Sequence, residues 1–251
     1  MDLEPIWKRA RADLTIPMPQ GGLDVFLWEH TVRVVRNAEY ISRLPEVQKQ
    51  QPDEIAVLAA ALYHEAGWIV RLRGGEIERH EMLIGPAPDS TSAGSAGVLE
   101  AALEGLIPRD SLGRASAAVH ARNDRHTEQI EAQIVAEADN LEEFGPMFLW
   151  SSIRRGVLEG KGVQSVLDTW HRRKEYQFWT ARLTDSFRFD STRHLAAERL
   201  ERLEEFMADL HFQQESEDVR SSLHPGSKDP IVGFSSRIPV DSRTPQCGDS
   251  G

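Results

Sequence analysis

From residue 24 to about residue 212 the apolar positions return every three or four residues, and the strict alternation that marks a half-buried strand is nearly absent. The pattern predicts an all-α protein. Helices are expected over residues 3–14, 24–43, 52–66, 92–105, 110–122, 127–144, 146–159, 162–182 and 190–212. Phe26, His30 and Val34 fall four apart and share one face of the second of these, which turns a histidine toward the core. The most apolar run, Ile55-Ala56-Val57-Leu58-Ala59-Ala60-Ala61-Leu62, carries no polar side chain and should be buried. It leads into Tyr63-His64-Glu65-Ala66-Gly67, in which Gly67 reads as a helix stop.

Two stretches interrupt the periodicity: a loop over 69–91, rich in glycine, proline and charge, and a tail over 214–251. The loop is long enough to carry function. In the tail, 8 Ser, 4 Pro and 4 Gly fill 16 of 38 positions, too polar a composition to offset the entropy of ordering. Residues 1–213 therefore read as one helical domain and 214–251 as a disordered tail without chemistry of its own. No internal repeat and no Gly-rich phosphate loop after a strand is present, so Walker and Rossmann readings have no support.

Charge narrows the partners. Forty acidic against 29 basic residues give a net charge of -11, which disfavours a nucleic-acid polymer or an anionic membrane as the main partner. The single cysteine, Cys247, excludes an internal disulfide and a Cys-rich zinc site. The first 14 residues are too charged for a signal peptide, and no stretch approaches about 18 uninterrupted apolar residues, so the expectation is a soluble cytoplasmic protein. The oligomeric state is left open.

Candidate chemistry starts at His64 and Glu65, because buried charge is costly unless it is paired or bound to a metal. Each residue also has a plainer reading. His30 fits as a hydrogen-bonded core histidine, the His64-Glu65 pair as a salt bridge or helix-end cap, and Asp139, after Val135-Ala136-Glu137-Ala138, as a cap or ion-pair partner. Together, His30, His64, Glu65 and Asp139 lie on three internal helix faces and could converge on one ion in a bundle core.

That order resembles the HD-domain metal-dependent phosphohydrolases, in which a helix histidine, a later His-Asp pair and a distant aspartate bind the catalytic ion. His30 precedes His64 by 34 residues and Asp139 follows it by 75. Ala138-Asp139-Asn140-Leu141-Glu142-Glu143-Phe144-Gly145 is similar to the family's Ala-Asp-x-Leu-Asp-x-x-Gly run. His120, 19 residues before Asp139, stands where many members have another histidine. Thr192-Arg193-His194-Leu195-Ala196-Ala197-Glu198-Arg199, followed by Phe206-Met207, looks like the closing helix of small bacterial members, so the resemblance covers about residues 24–212. One departure is plain: the family's His-Asp pair is His64-Glu65 here, and the extra methylene moves the carboxylate by up to about 1.5 Å.

The resemblance implies an HD-like helical bundle acting as a phosphohydrolase on a nucleotide or other small phosphomonoester. His30, His64, Glu65 and Asp139 would be metal ligands; two imidazoles and two carboxylates suit Mn, Fe, Co, Ni or Zn better than Mg. Glu137 or His120 would be the base or hold a second ion. His80, in the 69–91 loop, would touch substrate or a second metal, and Arg122 and Arg125 would clamp a phosphate. Solvated surface positions are the alternative for His80, Arg122 and Arg125. His126, His171, His194, His211 and His224 receive no role. Trp150, Trp170, Phe178, Trp179 and Phe187 are expected to pack rather than to stack bases. Other readings of the chain are a non-catalytic nucleotide or phosphate binder with a degraded metal site, a dinuclear iron oxygenase drawing on His80, His120 or Glu137, and a helical protein held by buried ion pairs.

Overall fold

The structure, a computed structural model, describes residues 2–83 and 89–223. The chain divides into a compact unit, Met1–Ala208, and a second unit, Asp209–Gly251. The protein is all-α, with a single two-stranded sheet among the described residues. Helix α1 (Glu4–Leu14) leads into a short antiparallel pair, β1 (Ile16–Pro17) and β2 (Leu23–Asp24), and then come α2 (Phe26–Ser42), α3 (Pro45–Gln48), α4 (Glu54–Tyr63) and α5 (Gly67–Arg73). After a one-turn 3-10 segment at Arg79–Glu81 follow α6 (Asp89–Leu103), α7 (Arg109–Ala121) and α8 (Ile130–Asn140). The remaining elements are α9 (Pro146–Leu158), α10 (Val163–Glu175), α11 (Phe178–Asp185), α12 (Asp190–Gln214) and α13 (Glu217–Leu223).

The apolar run over 55–62 explains the centre. Helix α4 packs against α2, α6, α7 and α8, and Ala59, Ala60, Ala61, Leu62 and Tyr63 are almost wholly buried. Three alanines among them let neighbouring helices approach closely. Over Glu54–Arg73 the chain is apolar enough to cross a membrane by length and composition, but 72% of its most apolar 18-residue window is buried inside the fold.

Asp53 starts α4. Its Oδ1 accepts hydrogen bonds from the backbone N–H groups of Ile55 and Ala56, both at 3.0 Å, and its Oδ2 accepts one from Ser111 on α7 at 2.8 Å. Replacing Asp53 by alanine removes the cap and leaves Ser111 without its partner. The expected cost is about 2 kcal/mol in urea unfolding, and a loss below about 0.5 kcal/mol would show that the cap is dispensable.

Several expectations need correction. Gly67 begins α5 instead of ending a helix, and α5 continues to Arg73, so helix occupies the start of the expected 69–91 loop. Residues 84–88 of that loop lie outside the described residues. The helix expected over 162–182 is two helices, because Gln177 takes a left-handed conformation at φ 53° and turns the chain between α10 and α11. Two short helices, α3 and α13, fall where none was expected. Helix α13 lies in the stretch that composition reads as tail, while residues 224–251, with His224 and Cys247, are outside the described residues. Trp170, Trp179 and Phe187 are buried as expected, but Trp150 is exposed, since it lies on the outer face of α9.

Candidate metal centre

The centre grows from three helices. His30 sits on the buried face of α2 between Phe26 and Val34, His64 is the residue on which α4 ends, and Asp139 lies in the last turn of α8. Helices α2, α4 and α8 pack on one another, which brings the three side chains together. The separations are 3.3 Å from His30 Nε2 to His64 Nε2, 3.4 Å from His30 Nε2 to Asp139 Oδ1, and 3.5 Å from His64 Nε2 to Asp139 Oδ1. Both histidines are buried and Asp139 is partly exposed, so the group opens on the carboxylate side.

Local bonds orient the donors. The backbone carbonyl of Ala61 accepts a hydrogen bond from His64 Nδ1 at 2.8 Å, so the proton is on Nδ1 and a lone pair on Nε2 faces His30 and Asp139. Asn37, two turns after His30 on the same helix, donates from Nδ2 to the Ala138 carbonyl at 3.0 Å and fixes the peptide just before Asp139. Arg199 on α12 in turn donates to Asn37 Oδ1 at 3.0 Å. Burial works to raise the Asp139 carboxyl, but its close contacts with the His30 and His64 rings prevail and hold it well below the usual carboxylate range. It is therefore an anion at neutral pH.

The donor set fits a divalent ion. Separations of 3.3, 3.4 and 3.5 Å match the edges of a tetrahedron around an ion bound at about 2.1 Å, the length of zinc-nitrogen and zinc-oxygen bonds. Among the described residues this is the one group of three or more candidate ligands, with all donor atoms within 4.8 Å of one another.

Glu65, the fourth expected ligand, falls outside that group. It is buried, and its Oε1 accepts a hydrogen bond from Arg122 Nη2 at 2.8 Å. Arg122 is buried as well, and its Nη1 lies 3.5 Å from Asp139 Oδ2. Burial alone would lower the Arg122 guanidinium; Glu65 and Asp139 outweigh it and raise it. Sequence reasoning left Arg122 between a phosphate clamp and a solvated surface residue, and the structure places it inside, beside the centre.

The other candidates are spread out. His120 is exposed at the end of α7, and His80 is partly exposed on the 3-10 turn. Arg125 is exposed and lies 3.8 Å from Asp185. Glu137 projects from another face of α8, where its Oε1 accepts hydrogen bonds from the backbone N–H groups of Arg188 and Phe189, just before α12. None of these four joins His30, His64 and Asp139. A cavity of about 240 Å³ between α9 and α10, lined by Trp170 and Arg173 among others, holds none of the candidate ligands, so volume alone does not mark the site.

Burial pushes the Glu137 carboxyl up to about 7, against the lowering effect of its backbone hydrogen bonds. The folded state thus holds this proton between the ordinary carboxyl value and about 7, where the unfolded chain has released it. Stability from this group is present below about pH 4.5 and is lost as pH rises through 7, by about 3 kcal/mol in all. Glu137→Gln keeps an oxygen for both N–H groups and removes the titration. Urea unfolding of the variant between pH 5 and 8 should show a correspondingly shallower decline, and parallel profiles would refute the assignment.

No family model matches the chain, and no curated protein does. Among solved structures it is similar to Bacillus subtilis YpgQ in complex with ADP, with a TM-score of 0.50 and 19% identity over 88% of this chain and 94% of that one. A second YpgQ crystal structure gives a TM-score of 0.49 and 20% identity over 80% and 90% of the two chains. At such identity the first likeness shows a shared fold. The chain thus combines a YpgQ-like helical fold with a His-His-Asp cluster that can hold a metal ion.

Proposed function

We propose that the protein is a metal-dependent phosphohydrolase of the HD type, acting on a nucleotide or another small phosphomonoester. The observation that carries this reading is the convergence of His30, His64 and Asp139 from three helices onto one point. Two further facts support it: the order of these residues resembles the HD family, and the fold is shared with a protein crystallised with ADP. The bound ion would be a divalent transition metal, since two imidazole nitrogens and a carboxylate suit Mn, Fe, Co, Ni or Zn.

When bound, such an ion lowers the pKa of a coordinated water and polarises a phosphoryl oxygen. The protein's own contribution is positional. Ala61 fixes the His64 tautomer, Asn37 holds the end of α8, and the contacts of Asp139 with the two histidine rings keep it ionised at neutral pH. Partial exposure of Asp139 leaves a side on which water and substrate can enter.

The test is phosphate release from a panel of nucleoside mono-, di- and triphosphates and sugar phosphates, with Mn, Co, Ni or Zn added to metal-stripped protein. Release that depends on metal and disappears with chelator is expected. No release from any substrate, with nucleotide binding that survives chelation, would favour the non-catalytic binder. The dinuclear iron reading gains nothing from the geometry, because His80, His120 and Glu137 do not complete a second cluster among the described residues.

A further inference from the structure

We infer that Arg122 holds Glu65 out of the metal's coordination sphere, so that the centre takes its divalent ion on the three donors of His30, His64 and Asp139 alone. The inference rests on reading that cluster as a metal site and specifies how the site is built.

Three observations converge. Glu65 is adjacent to His64 in the chain, yet it falls outside the group of donors that lie within 4.8 Å of one another. Its Oε1 is engaged by Arg122 Nη2 at 2.8 Å, a charge-assisted bond formed away from water, where such pairs are strong and costly to break on one side only. Its Oε2 is buried and has no hydrogen-bond partner among the described residues, so the carboxylate keeps unused capacity that a cation could take if Arg122 were absent.

Arg122 also divides the work of Asp139. Oδ1 faces the two histidines, whereas Oδ2 lies 3.5 Å from Arg122 Nη1. That nitrogen has no hydrogen bond among the described residues, and neither does Nε. One oxygen of Asp139 is thus available to an ion, and the other faces a fixed positive charge.

The charges then add up differently from a site in which both carboxylates serve the ion. Glu65, Asp139 and Arg122 together carry a net charge of -1, so a divalent ion leaves the centre positive by one. Without Arg122 the same ion would leave it neutral. Arg122 therefore weakens cation binding and leaves a positive field for an anionic ligand such as a phosphate ester. Glutamate carries its carboxylate one methylene further than aspartate, and at residue 65 that carboxylate meets the guanidinium of Arg122 at the end of α7.

The test is cobalt titration of metal-stripped wild type, E65Q, R122Q and E65Q/R122Q, read by calorimetry and by the visible absorption of Co(II), which reports coordination number and ligand type. Wild type and E65Q should give the same band shape. R122Q should bind at least about tenfold tighter with an altered spectrum, because Glu65 becomes a fourth ligand, and the double variant should return to the wild-type spectrum. A changed Co(II) spectrum in E65Q, with affinity falling as far as in His64→Ala, would overturn the inference while leaving the metal site standing. An R122Q spectrum identical to wild type would overturn it too. Absence of cobalt binding in all four proteins would remove the metal-site reading itself. If R122Q fails to fold, as circular dichroism would reveal, R122K and the E65Q arm decide: an unchanged E65Q spectrum supports the inference and a changed one sinks it.

Discussion

Replacing His64 by alanine is expected to abolish stoichiometric metal binding and with it metal-dependent phosphate release. The argument is geometric. His64 is one of three donors, its Nε2 lies within 3.5 Å of both others, and the residue has no exposed surface through which water could replace the ring. Loss of a direct ligand should exceed the 10–100-fold penalties typical of residues that merely orient ligands, so affinity should fall by about 1,000-fold or more. Activity should fall in parallel. Thermal melting separates loss of metal from loss of fold. In wild type, saturating metal at about 100 times Kd should add about 2.7 kcal/mol, and chelator should remove it. In His64→Ala the melting temperature should not respond to metal or chelator, while helical circular dichroism persists. A variant that still binds one ion per chain at wild-type affinity would sink the proposed centre.

The second large effect concerns Gly67, two residues beyond Glu65. A Cβ at this position would stand 2.0 Å from the carbonyl oxygen of Thr91 and 3.0 Å from Ser95 Oγ, and Gly67 N–H already donates to that hydroxyl at 2.8 Å. The obstruction is backbone on α6, which no rotamer change can move. Gly67→Ala should therefore cost more than ordinary overpacking, about 3–5 kcal/mol in chemical unfolding. Because α5 follows directly on His64 and Glu65, any backbone shift there should also disturb the centre and weaken metal binding. Gly97, on the exposed side of α6 with nothing within 4 Å, is the control: Gly97→Ala should stabilise by about 0.5–1 kcal/mol. A loss below about 1 kcal/mol in Gly67→Ala would mean that the two helices are not packed as described.

These two positions also show what the sequence makes legible. The helical period at Phe26, His30 and Val34, and the unbroken apolar run before His64, predict a histidine facing inward from α2 and another at the end of a core helix. Both are found. Asp139 is recognisable because a carboxylate interrupts an internal segment. What escapes sequence reading is pairing at a distance. Arg122 looks like any basic residue after a helix, and its partner Glu65 stands 57 positions away, so only the packing of α4 against α7 reveals the buried pair. Glu137, which the resemblance offers as a base or second-ion ligand, lies two residues before Asp139, and that spacing places it on another face of α8, where it meets backbone N–H groups some 50 residues later. Gly67 resembles a stop because glycine often ends helices, whereas here it is required by the close approach of a neighbouring carbonyl. Asn37 gave a signal that could have been read: a polar residue seven positions after His30 falls on the same buried face.

Helix α8 thus carries carboxylates on two faces, one turned to the histidines of α2 and α4, the other holding the N–H groups of Arg188 and Phe189, the two residues that lead into α12. A helix gripped from both sides cannot roll about its axis without breaking bonds at one side or the other. It behaves as an axle locked between two bearings, and the position of Asp139 is set as much by the closing helix behind it as by the histidines in front.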